Sequence, residues 1–237
     1  MRKLRSRPDS VEVEAPRDPD EASWRQRAVS RSLSAARSRA EQRVQRFLDA
    51  AFKLIDEKGT TDFTIQEVVD RSKQSLRGFY RYFDGKDQLL LVLFEENFRE
   101  SVEDISAFVE SVSDPVERLR AFTIRLHEWC EPVETPRKLG AHNRRPISEF
   151  SVQLAGNHPD RVKAAIAPIS MMLVELLDAA VATGQIQVAD THRTGGLVLR
   201  TVMFSWFGNR LAASSRLRIS AEDTWDFCVS GLHETPA

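Results

Sequence analysis

From Arg39 onward apolar residues return at three- and four-residue steps, Val44, Phe47, Leu48, Ala51, Phe52, Leu54 and Ile55, as on the buried face of an amphipathic helix. Gly59 supplies its stop. Thr64-Ile-Gln-Glu67 then reads as a capping box, in which the threonine hydroxyl accepts a backbone N–H and the glutamate reaches back. The helix it opens ends near Ser72. After a connection of a few residues Ser75 caps a third short helix, expected to run through Phe83, and Asp84-Gly-Lys-Asp87 caps a long fourth with Leu89, Leu90, Leu93, Phe94 and Phe98 on one face. Asp114-Pro-Val-Glu117 opens a fifth ahead of Leu119, Phe122, Leu126 and Trp129. Further helices are predicted over 147–156, from Pro159-Asp160 with Pro168 interrupting, over 191–214, and over 221–232 after Ser220-Ala-Glu-Asp223. No convincing strand alternation occurs, so the fold class is all-α.

Residues 1–38 lack aliphatic side chains at helical spacing and are rich in Arg, Ser, Pro and acids, so they are expected to be disordered or only partly helical. Within them and just beyond, Arg25, Arg27, Arg31, Arg37 and Arg39 recur without an acid between them. Such an arm lies along phosphates, enters a minor groove or is an idle tail. The chain divides into this basic arm, a segment 39–86 and a segment 87–237. The net charge of −1 conceals a split: residues 1–86 hold 19 basic against 14 acidic side chains, and residues 87–237 hold 15 against 21. That asymmetry points to a polyanion partner at one end.

Other classes recede. The apolar runs Leu89 to Phe94 and Ile169 to Leu177 fall short of the roughly 20 residues of a membrane span, so no transmembrane helix and no membrane partner are expected. The basic N-terminus has no apolar stretch of a secretory signal, which places the protein in the cytoplasm. Cys130 and Cys228 stand far apart without metal-ligand spacing and are read as core. No phosphate loop, metal spacing or nucleophile elbow appears, and His127 beside Glu128 is an ordinary helical pair. No enzyme activity, cofactor or metal is expected.

Two short helices joined by a tight turn form a helix-turn-helix, whose second helix enters the major groove. In Ser75-Leu-Arg-Gly-Phe-Tyr-Arg-Tyr-Phe83, Phe79 and Phe83 anchor inward while Leu76, Arg77, Tyr80 and Tyr82 are presented outward to varying degree. Arg77 has the planar fork that addresses guanine, and the tyrosine hydroxyls suit phosphates. The run from Phe63 to Leu89, with Phe79-Tyr-Arg-Tyr-Phe83, Gly85-Lys86 and Leu89, resembles the DNA-binding region of the TetR family of transcriptional repressors over about residues 40–98. The resemblance implies phosphate contacts from Thr64, Ser75, Tyr80, Tyr82 and Lys86, and base-facing positions at Gln66, Leu76, Arg77 and Gly78. Two residues depart from the pattern. Lys73 stands where the turn usually has glycine, and Gly78 where a small hydroxyl residue is common.

The resemblance further implies a C-terminal helical domain that binds an effector and forms a homodimer through its last two helices. Here those helices carry Leu197, Val198, Val202, Phe204, Trp206 and Phe207, then Trp225, Phe227 and Val229. Candidate pocket residues are Phe98, Phe108, Phe122, Leu126, Trp129, Phe150, Met171, Met172 and Met203, a greasy, adaptable set. His142, Arg144 and Arg145 offer a site for an anionic head group, while the acidic balance of this half permits a cationic ligand instead. The expectation is a one-component repressor that binds palindromic operator DNA and is released by a hydrophobic or amphipathic small molecule. The alternative is a DNA-binding regulator without an effector. Transmission is expected along the fourth helix, at Phe98 and Phe108.

Overall fold

A computed structural model of the chain describes residues 19–130, 148–212 and 217–232. His142, Arg144 and Arg145 lie outside the described residues, as do the side chains of Phe150 and Trp206. The helices are α1 (Pro19–Lys58), α2 (Ile65–Ser72), α3 (Leu76–Tyr80), α4 (Lys86–Glu110), α5 (Pro115–Cys130), α6 (Ser148–Asn157), α7 (Pro159–Ala182), α8 (Thr191–Leu211) and α9 (Ala221–Ser230). No strand occurs among the described residues. The chain forms two compact units, Met1–Arg46 and Phe47–Ala237.

In the first unit, α1 begins 20 residues before the Arg39 start expected from apolar spacing. Every described side chain from Gln26 to Arg39 is exposed. The alanines and arginines of this stretch favour helix, so intrinsic propensity extends the helix where apolar periodicity is silent.

In the second unit the caps of α2, α5 and α9 are those the sequence encodes. Thr64 Oγ1 accepts from Glu67 N at 3.2 Å while Glu67 Oε2 accepts from Thr64 N at 2.7 Å. Asp114 Oδ1 accepts from Val116 N and Glu117 N, and Ser220 and Asp223 form a second capping box. Gly59 takes φ 69° after α1. The expected cap of α4 is corrected: its N-cap is Gly85, without a side-chain bond, and Gln88 reaches back to Asp84 N instead. Asp87 is drawn elsewhere, as described below.

The larger helices pack α4, α5 and α7 on one another, with α8 on α5 and α7 and α9 on α5. Their shared core includes Leu93, Ile105, Leu119, Phe122, Leu126, Ile169, Leu173 and Leu177. Gly195 lets α8 approach α7 closely, since a Cβ there would lie 3.3 Å from Val174 Cγ2. Contrary to the expectation from broken apolar runs, α7 is long and apolar enough to cross a bilayer by length and composition. Its buried Ile169, Leu173 and Leu177 face neighbouring helices and its Lys163, Glu175 and Asp178 are exposed, the pattern of a core helix.

Candidate functional site

The helix-turn-helix is built on an aromatic cluster. Phe79 and Phe83 meet Phe47 edge-on at 5.5 and 6.0 Å between centroids, and each other at 5.2 Å. Each such pair adds about 0.5–1.5 kcal/mol beyond area burial. Phe79 is the buried residue of α3, so a helix of five residues, too short to persist alone, is held by that ring. It ends at Tyr80 rather than continuing to Phe83, where Tyr82 N and Phe83 N close a turn on Phe79 O. Ser75 caps it, its Oγ accepting from Gly78 N at 3.0 Å. A Cβ on residue 78 would stand 3.1 Å from that Oγ, so glycine here fits the cap.

The turn between α2 and α3 is made by Lys73 at φ 55° and ψ 35°, in the left-handed region. Lysine thus adopts the geometry glycine usually supplies. Its N–H still closes α2 on Val69 O and Asp70 O.

Around this frame lie the candidate DNA-contact residues, base-facing and phosphate-contacting. Leu76 is 43% and Tyr80 54% exposed, and Arg77 and Gln66 are also exposed. Tyr82 and Gly78 are half-buried. Gln66 donates to Asp70 Oδ1 at 2.7 Å through one of the two N–H groups of its amide. Thr64 Oγ1 lies 3.1 Å from Glu67 Oε2, so its hydroxyl serves the cap in both directions, whereas the Ser75 cap uses only a lone pair of its hydroxyl. Lys86 Nζ sits 4.8 Å from the Phe63 ring, which brings the start of α4 beside the residue preceding Thr64. Lys58 lies 2.7 Å from Glu67, and Arg71 pairs with Glu57, so two ion pairs tie α2 to the end of α1. Lys58, and then the Thr64 N–H, hold the Glu67 carboxyl down to about 2.

The helices beyond α3 enclose a groove of about 530 Å³ between α4, α6, α7 and α8. Of the expected pocket residues, Met171 and Met203 line it, while Met172 joins Met171 at a second groove against α4 and α5. Phe98, Phe122, Leu126 and Trp129 are packed core. Phe108 is exposed, with the Arg125 guanidinium 5.6 Å from its ring. Phe94 reaches the groove and stacks at 4.6 Å on Phe98 behind it. Apolar periodicity marks both rings as buried and does not say which one meets the cavity. Lys163 and Arg200 also line it, two cations that the sequence reading missed because they sit on different helices.

Residues 47–93 match the family model for bacterial regulatory proteins of the tetR family. The chain carries a helix-turn-helix of the tetR family. The regulator BetI of Brucella canis is 30% identical over 79 residues, an alignment spanning 33% of this chain and 40% of BetI. The chain thus matches less than half the length of that curated relative. Among solved structures, FadR from Bacillus subtilis in complex with stearoyl-CoA superposes with a TM-score of 0.60 at 17% identity, covering 80% of this chain and 99% of FadR. AibR in complex with isovaleryl coenzyme A and operator DNA gives 0.57 at 20%, covering 80% and 97%. At those identities the likeness is one of fold.

Two features adjoin the tetR-family domain. Asp87, in the first turn of α4, accepts from Gln153 Nε2 at 3.4 Å and Asn157 Nδ2 at 3.1 Å, and His158 Nε2 lies 3.2 Å from its Oδ2. Arg161 grips Glu95 through two bonds of 2.8 and 2.6 Å. The helix that follows the recognition helix is thereby fastened to the α6–α7 corner. At the far end of the chain, Leu197, Phe204 and Phe207 of α8 and Phe227 of α9 are exposed, whereas Val198, Val202 and Trp225 are buried and Val229 half-buried. The expected dimer set therefore divides into outward- and inward-facing residues.

Proposed function

We propose that the protein is a one-component transcriptional repressor, acting in the cytoplasm as a homodimer on palindromic operator DNA and released by an amphipathic anion such as an acyl thioester. The observation that carries DNA recognition is α3: one buried ring anchors it while Leu76, Arg77 and Tyr80 face solvent. Arg77 reads a base edge, Tyr80, Tyr82, Ser75 and Lys86 position the backbone, and Gln66, Leu76 and Gly78 complete the base-facing surface. Thr64 acts through its cap. The exposed Leu197, Phe204, Phe207 and Phe227 suit the desolvated centre of an isologous interface, and a dimer brings two half-sites to bear.

The effector reading rests on the groove, whose apolar wall of Phe94, Val162, Ile166, Met171 and Met203 takes a hydrocarbon chain while Lys163 and Arg200 meet an anionic head. The acyl coenzyme A ligands of FadR and AibR support that chemistry. Selection of genomic fragments on the purified protein tests the first part, with enrichment of a palindromic site expected. Thermal unfolding against fatty acids, acyl thioesters, steroids and cationic drugs tests the second. A ligand at 100 times its dissociation constant adds about 2.7 kcal/mol. A protein that selects a site and responds to no compound is the effector-free regulator.

A further inference from the structure

We propose that residues 24–46 of α1 are a second DNA-contacting element, a phosphate-binding helix that supplies the sequence-independent part of the affinity. The inference rests on the operator-binding reading and divides its labour: the helix-turn-helix chooses the sequence, and the preceding helix holds the polymer.

The charge inventory demands such an element. Residues 47–93, the matched domain, contain seven Lys and Arg against eight Asp and Glu. Two of those cations, Lys58 and Arg71, are already engaged by Glu67 and Glu57. A domain with no positive excess is a poor partner for a polyanion, because non-specific DNA affinity comes almost wholly from Lys and Arg displacing condensed counterions. Residues 24–46 hold seven arginines and one acid, Glu41. Glu41 pairs with Arg37 at 2.8 Å in full solvent, an i,i+4 pair of little strength.

The chemistry of this helix suits phosphate. All seven cations are arginine and none is lysine, and the guanidinium fork grips two phosphate oxygens at once. Ser30, Ser32, Ser34 and Ser38 add hydroxyl donors on exposed positions. Gln26, Arg27, Ser30 and Arg31 line a shallow concavity. At about 1.5 Å per residue the segment is roughly 35 Å long, close to one turn of duplex. A lipid surface is the weaker match. The apolar positions on the helix are four alanines with Trp24, Val29, Leu33 and Val44, which gives little area to insert.

The test uses the full chain with Arg27, Arg31, Arg39 and Arg43 all changed to Gln, a residue of similar helix propensity, and circular dichroism to show unchanged helix content. Binding to a random-sequence duplex of about 30 base pairs is measured between about 50 and 200 mM salt. The expected result is a slope of log affinity against log salt that is shallower by about 0.9 for each arginine meeting a phosphate, with preference for the selected genomic site retained. An unchanged slope overturns the inference. So does loss of binding to phosphatidylglycerol vesicles with the duplex slope intact, which assigns the helix to lipid. If the parent shows an arginine-dependent slope but enriches no genomic site, the operator reading falls and the phosphate helix stands.

Discussion

Lys73 is the one non-glycine residue with positive φ among those described. A side chain in the left-handed region costs about 1–2 kcal/mol, and glycine loses about 0.5–1 kcal/mol more than other residues on ordering. Lys73→Gly is therefore expected to raise stability by about 0.5–1 kcal/mol in urea unfolding; a loss would show that lysine's aliphatic stem makes compensating contacts. Arg77 and Tyr80, three apart on α3, are proposed to make two different kinds of DNA contact. Arg77→Ala should relax preference at one base pair per half-site, by about 1–3 kcal/mol, whereas Tyr80→Phe should weaken all sequences alike. Competition binding against a set of single-base operator variants distinguishes them, and equal losses from both remove Arg77 from base reading.

At the scale of elements, what could be read in advance was what neighbours in sequence decide. Thr64 with Glu67, Ser75 with Gly78, Asp114 with Glu117 and Ser220 with Asp223 close within three residues, and each cap forms. The start of α1 was hidden because the described side chains from Gln26 to Arg39 are all exposed and leave no apolar period. The use of Asp87 was hidden because its partners lie 66 to 71 positions away, and the same carboxylate looked like a local cap. The same bonds offer the proposed release a route besides Phe98 and Phe108. Phe108 points to solvent beside Arg125, so the α6–α7 corner bears on α4 through Asp87 and through Phe94 at the groove. Asp87→Ala should keep operator affinity within a few-fold while weakening release by an acyl thioester, a coupling that in such switches amounts to about 1–3 kcal/mol. Operator binding with and without the ligand measures it. Asp87→Asn, which preserves an acceptor oxygen, should fall between.

For the whole molecule, the exposed apolar residues near the C-terminal end are the consequence of a fold whose last two helices bury only one side. Phe227 is 70% exposed, so Phe227→Glu leaves the core untouched and places a charge where an isologous contact would bury it. Sedimentation should find the variant monomeric at micromolar concentration with operator affinity sharply reduced; a variant that remains dimeric assigns the interface to another surface. The fastening of Asp87 to Gln153, Asn157 and His158 has a thermodynamic corollary. Linkage is reciprocal: whatever factor the effector takes from operator affinity, the operator must take from effector affinity. Under the proposed release, the protein seated on its operator is then a poorer sensor than in free solution. Titrating the acyl thioester with and without saturating operator should return two dissociation constants whose ratio equals the ratio of operator affinities measured the other way round.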